Sequence, residues 1–171
     1  NSNTPIVFMG YMNTFESMGA ERFMTEAVDV GGDGILIVDM PPEESSSFSE
    51  QAKKYDTDII RLIAPTTSSE RAQKISSQSS GYIYYISVKG ITGASNIDSD
   101  DVKDKVGMLR TYTDLPIAIG FGIKDSDSAF SVKDVADGIV AGSVFVDLIG
   151  QGEDIIEKVA SKTKELSKVL Q

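Results

Sequence analysis

Six short runs of apolar, largely β-branched residues recur along this chain, and their lack of alternation constrains the fold more than any other feature. They are PIVFMGYM (5–12), GILIVDM (34–40), DIIRLIAP (58–65), YIYYISV (82–88), PIAIGFG (116–122) and GIVAGSV (138–144). A strand with one wet face alternates apolar and polar residues. Strands that are apolar almost throughout are covered on both faces, as in parallel sheets. Helical periodicity fills the gaps between the runs. Ala20, Phe23, Met24, Ala27 and Val28 form one stripe, and Val102, Val106 and Leu109 form another. Ile155, Ile156, Val159, Ala160, Thr163, Leu166 and Val169 predict a closing helix. In PPEESSSF (41–48), prolines and then acids stand where a helix N-terminus favours them.

The order βαβαβαβαβαβα predicts an α/β fold with a parallel sheet, in one domain spanning 1–171. An open doubly wound sheet and part of a (β/α)₈ barrel both satisfy that order. Six units in 171 residues scale to roughly 230 for eight, close to the ~250 typical of the barrel. The repeat length therefore favours an incomplete TIM barrel holding about six βα units.

Composition removes several chemistries. There is no cysteine, so disulfides and thiolate nucleophiles are excluded. There is no histidine, which removes the usual zinc sites, the Ser-His-Asp triad and the commonest general base. The 26 acidic and 16 basic residues give a formal charge of -10, which argues against nucleic acid or an anionic membrane as partner. No apolar run approaches a membrane span. The start, NSNTPIV, lacks the pattern of a signal peptide, so a cytoplasmic location is the expectation.

In either architecture, function collects at the C-terminal ends of the parallel strands. The first run ends near Tyr11 and Asn13, the second at Asp39, and the third at Ala64-Pro65-Thr66-Thr67. The fourth carries Tyr84 and Ser87 and runs into KGITGA (89–94); the fifth ends in Gly120-Phe121-Gly122, the sixth in Gly142-Ser143. Asp39 follows four apolar residues, so its charge calls for a partner. It either caps the following helix or accepts loop N–H groups, or it serves a site directly or in support. For Tyr11 and Tyr84 packing is the stronger reading, since tyrosines near strand ends more often pack than catalyse. KGITGA and the polar SNIDSDD after it have the composition of a closing loop, or of a plain surface loop. Glycine lets backbone N–H groups approach an anion closely. Glycine-bearing turns at GFG, AGS and Gly93 on one rim are thus a candidate phosphate cradle.

YMN (11–13), ILIVDMPPEE (35–44), IAPTTSSER (63–71), GYIYYISVKGITGA (81–94), LPIAIGFGI (115–123) and DGIVAGSVFV (137–146) together resemble the tryptophan synthase alpha subunit family, in order and with family-like spacing. The resemblance implies a (β/α)₈ barrel that cleaves indole-3-glycerol phosphate to indole and glyceraldehyde 3-phosphate by a retro-aldol reaction. It implies an α2β2-type complex with a beta subunit that carries pyridoxal phosphate, and no cofactor in this chain. Carried over by motif, Gly93, Gly122, Gly142 and Ser143 would meet the phosphate. Tyr84 and Tyr11 would line the pocket, and Phe121 would lie near the indole. Thr92 would sit on the closing loop, Asp39 would support that loop and the site, and Pro41 would dock on the beta subunit. Two departures stand out. Val88-Lys89 replaces the arginine and small polar residue usual before the first lid glycine, which bears on loop closure. The family's acid–base glutamate and indole-nitrogen aspartate belong to its first two strands, whereas this sequence resembles the family from the third strand onward. A front segment of roughly 80–95 residues is therefore the expectation, and the 171 residues alone are expected to be inactive. Two further readings are a non-catalytic module that binds phosphate and regulates the beta subunit, and another sugar-phosphate-binding barrel.

Overall fold

The computed structural model describes residues 3–41, 43, 45–87, 99–120 and 122–170, with Ser46 and Ser99 described by backbone only. Six strands follow one another in chain order: β1 (Val7–Gly10), β2 (Gly34–Ile37), β3 (Asp58–Ile63), β4 (Ile83–Ile86), β5 (Ile117–Gly120) and β6 (Gly138–Val140). Each pairs in parallel with the next, giving one sheet of order β1-β2-β3-β4-β5-β6. That sequential order is the barrel's and not that of a doubly wound sheet, whose order reverses at a switch point. The expected TIM-type architecture with six βα units is what the chain forms.

Eight helices connect and flank the strands among the described residues: α1 (Met12–Met18), α2 (Ala20–Asp29), α3 (Ser46–Lys54), α4 (Ser69–Ser77), α5 (Ser99–Leu109), α6 (Ser126–Phe130), α7 (Ser143–Gly150) and α8 (Ile155–Val169). Their starts carry local signals. Ser68 caps α4 by accepting the Arg71 N–H, and Asp125 and Ser128 form a capping box at α6. Two expectations need correcting. The run 5–12 is strand only over 7–10, because Tyr11 acts as N-cap and Met12 opens α1. Helix α3 begins at Ser46, so Pro41 and Glu43 lie in the connection before it rather than in its first turn.

The sheet separates two kinds of packing. On its outer side, Phe15, Met24, Ile35, Ile37, Phe48 and Ile59 pack under α1–α3, where the Phe15 and Phe23 rings meet edge to face at 4.6 Å. Further along the same side, Ile63, Ile83, Tyr85, Ile117 and Ile119 pack under α4, α5, α6 and α8. The inner side holds a smaller cluster of Leu36, Ile60 and Tyr84. Alternation along each strand produces this split, with Ile83 and Tyr85 facing the helices and Tyr84 facing inward. Among the described residues β1 and β6 do not pair with each other. Apolar side chains stay exposed near both edges: Ile6 and Met9 at β1, Val146 and Ile149 on α7.

Candidate functional site

The C-terminal strand ends form a rim, and its residues are held by backbone-directed contacts. Asp39 stands just past β2 and is exposed. Its Oδ1 accepts the backbone N–H of Met12 at 2.7 Å. The carboxylate thus satisfies one of the orphan donors at the start of α1 and ties the end of β2 to the end of β1. The cap expected on the helix that follows β2 is instead a bond to the head of α1, and α3 has Ser45 as its N-cap. Tyr11, the N-cap residue of α1, is largely exposed.

On the opposite flank, Ser87 locks β4 to β5. Its backbone N–H and its Oγ both donate to the Gly120 carbonyl, at 3.0 and 3.1 Å, and the residue is buried. Beside this lock the Tyr84 ring lies across the Gly120 backbone. A Cβ at position 120 would fall within the ring. Tyr84 is 8 % exposed, and burial, assisted by neighbouring Tyr82, pushes its hydroxyl above the usual tyrosine range. The group remains a protonated hydrogen-bond donor at neutral pH.

The two glycines of GFG therefore have separate causes. Gly120 yields space to Tyr84. Gly122 has φ of +82°, a left-handed conformation that favours glycine, with nothing among the described residues near where a side chain would project. Register then aligns the neighbouring turn. Gly120 pairs with Val140, so Gly122 and Gly142 each stand two residues beyond a paired position on adjacent strands. Gly142 is the N-cap of α7 and no side chain caps that helix. Its carbonyl accepts from Phe145 and Val146, and the N–H groups of Ser143 and Val144 open the helix, where backbone donors have no intrahelical acceptor. Backbone donors at a helix N-terminus beside an open glycine turn are suited to an oxyanion. Pro41, on the connection after β2, is half-buried, and the nearby Glu43 is held by an ion pair with Lys74 of α4.

Val88, Lys89, Thr92, Gly93 and Phe121 lie outside the described residues. The link from Asp39 to Met12 escaped the sequence because its partner is a backbone group on another strand end. The pairing of Tyr84 with Gly120 had a signal, a glycine inside an apolar run, but needs the neighbouring strand to be read. Among the described residues no set of three acids stands close enough to hold a metal ion.

Sequential parallel strands, helices on the outside and polar, glycine-bearing turns gathered at the C-terminal rim define a barrel of the TIM class. A family model described as tryptophan synthase alpha chain matches residues 1–171. The chain belongs to that family. The tryptophan synthase alpha chain of Acinetobacter baumannii is 40 % identical over 172 residues, covering 99 % of this chain and 64 % of the relative. That of Marinobacter nauticus is 47 % identical over 149 residues, covering 87 % and 55 %. A chain from the tryptophan synthase α2β2 complex of Pyrococcus furiosus superposes with a TM-score of 0.88 at 34 % identity, covering 98 % of this chain and 68 % of that one. The Campylobacter jejuni alpha subunit gives 0.87 at 30 %, covering 97 % and 66 %. This chain spans less than two thirds of the length of the two curated relatives.

Proposed function

We propose that these residues serve the aldol cleavage of indole-3-glycerol phosphate to indole and glyceraldehyde 3-phosphate, late in L-tryptophan biosynthesis. One observation carries this reading within the family: the uncapped start of α7 at Gly142-Ser143 stands abreast of the left-handed Gly122 on the neighbouring strand end. Two glycine-bearing turns at neighbouring strand ends suit the phosphate of the substrate, and Gly93 would complete the cradle from the loop after β4. These donors act locally, so the formal charge of -10 spread over the chain does not oppose them.

In the same reading Tyr84, protonated and anchored over Gly120, forms one wall of the ring pocket, with Phe121 and Tyr11 as further lining. Asp39 keeps the rim in register through Met12, and Thr92 belongs to the closing loop. Because Asp39 is engaged with that N–H, the acid–base pair is assigned to the part of the relatives beyond the matched stretch. Turnover is accordingly expected of the longer protein and not of these 171 residues alone. The chain needs no cofactor of its own. Pro41 docks on a beta subunit in an α2β2 assembly within the cytoplasm, and pyridoxal phosphate resides in that partner.

Indole release from indole-3-glycerol phosphate by the full-length protein, with and without beta subunit, tests the proposal. Turnover that a phosphate-bearing analogue inhibits, and that the beta subunit raises, is the expected result. A full-length protein that binds the analogue and the beta subunit but never releases indole would replace the lyase with a regulatory module.

A further inference from the structure

Arg61 is the one charged residue inside the apolar body of β3, and it is 4 % exposed. Strand alternation turns it to the outer side, away from Ile60 of the inner cluster and between α3 and α4. Its Nε donates to the Gln78 carbonyl at 3.1 Å, and its Nη2 reaches Ser49 Oγ at 3.5 Å. Among the described residues no carboxylate forms an ion pair with it. A guanidinium carries five N–H donors and a full charge, and the two acceptors that meet it, the Gln78 carbonyl and Ser49 Oγ, are both neutral. Burial accordingly holds its pKa below the ordinary arginine value.

Both acceptors line a groove of about 560 Å³ between α3 and α4. Lys53 and Lys74 stand at that groove, and Glu43, paired with Lys74, is the acid that lines it. With Arg61 behind Ser49 and Gln78, the local balance among the described lining residues is positive in a chain whose total is -10. The Ser49 hydroxyl, which accepts from Arg61, keeps its own proton to donate, while Ala52 and Ile59 supply an apolar wall. The volume falls within the ~300–1,000 Å³ of small-molecule sites and exceeds what a bare phosphate would fill.

We propose that this groove binds a phosphate monoester of a small organic molecule. The phosphate sits between Lys53 and Lys74, with Arg61 acting on it through Ser49, and the organic part rests on Ala52 and Ile59. The groove lies on the outer side of the sheet, so it is separate from the rim at Gly122 and Ser143 and its occupant does not compete there.

Amide chemical shifts of the full-length protein, followed during titration with glycerol 3-phosphate, inorganic phosphate and glycerol, test this. The expected result is saturable movement of the Ser49, Gln78, Ser79 and Ser80 amides with glycerol 3-phosphate, weaker movement with phosphate and none with glycerol. The pair Lys53→Gln and Lys74→Gln should weaken that response at least tenfold while leaving the thermal midpoint and the rim amides of Gly122 and Ser143 unchanged. Arg61→Met should weaken it similarly, and Arg61→Lys should restore part of it. Movement confined to the rim amides, equal movement with glycerol, or affinity indifferent to both lysines would overturn the proposal. Binding of inorganic phosphate as tight as that of the ester would overturn the monoester assignment.

Discussion

The ring of Tyr84 occupies the space that any side chain at position 120 would need, so β4 and β5 present one interlocked surface to the interior. Gly120→Ala should therefore cost about 1–3 kcal/mol, the range for overpacking a filled site. Combining it with Tyr84→Leu, which withdraws the ring, should recover much of that loss. Urea unfolding of the two single variants and the double variant checks the coupling. Strictly additive losses would show that the ring and the glycine do not compete for space.

Asp39→Ala removes the acceptor for the Met12 N–H at the head of α1 and should cost about 1 kcal/mol, as lost caps do. Asp39→Asn keeps an acceptor oxygen and should stay close to the parent in stability. Denaturant midpoints separate the two. If turnover of the full-length protein falls with Asp39→Asn as well, the charge contributes to the site beyond its capping role.

Ser143→Asp places a carboxylate in the first turn of α7. For stability this favours the helix by about 0.3–1 kcal/mol, since the N-terminus attracts negative charge. For a phosphorylated substrate the effect has the opposite sign, because carboxylate and phosphate contend for the same N–H groups. The expectation is a higher midpoint together with a KM raised tenfold or more. A raised midpoint with unchanged KM would move the phosphate elsewhere on the rim.

Tyr85, on the outer side of β4, has its hydroxyl buried without a hydrogen-bond partner. Burial, and secondarily the charge of Asp101, pushes its pKa up to about 12. The unfolded chain ionises tyrosine near ~10, so the folded state holds this proton more tightly. The resulting stability is complete below that lower value and disappears as pH rises through the folded value. Absorbance titration at alkaline pH should show Tyr82, Tyr84 and Tyr85 ionising late, with unfolding following the ionisation of Tyr85. Tyr85→Phe should be at least as stable as the parent at neutral pH, because it deletes an unsatisfied buried group. Its stability should also decline less steeply above pH 10.

The architecture was legible where the physics is local. GILI and DIIRLI announce buried parallel strands by composition, and the stripe from Ala20 to Val28 announces α2. The end of the first run was not legible, because Tyr11-Met12-Asn13 is compatible with a strand until Asp39, far away in sequence, claims the Met12 N–H. At the site, Gly122 could be suspected from its place beyond a strand. The cause of Gly120 could not, since it resides in a ring contributed by β4. Arg61 reads as an ordinary polar interruption of an apolar run. Only the closure of α3 and α4 over it makes its charge conspicuous.

The sequential strand order also bears on how the fold is reached. Among the described residues each strand pairs only with its neighbours in chain order: Val7 with Gly34, Ile35 with Ile59, Arg61 with Ile83, Ile83 with Ile117, and Ala118 with Gly138. No loop must close across a distant part of the chain before a pairing is rewarded, which lowers the entropic barrier to each addition. During synthesis, each new βα unit can dock on the edge just vacated by the ribosome's previous output. The sheet can thus grow by accretion, one βα unit at a time, and slow steps should cluster at the last unit joined.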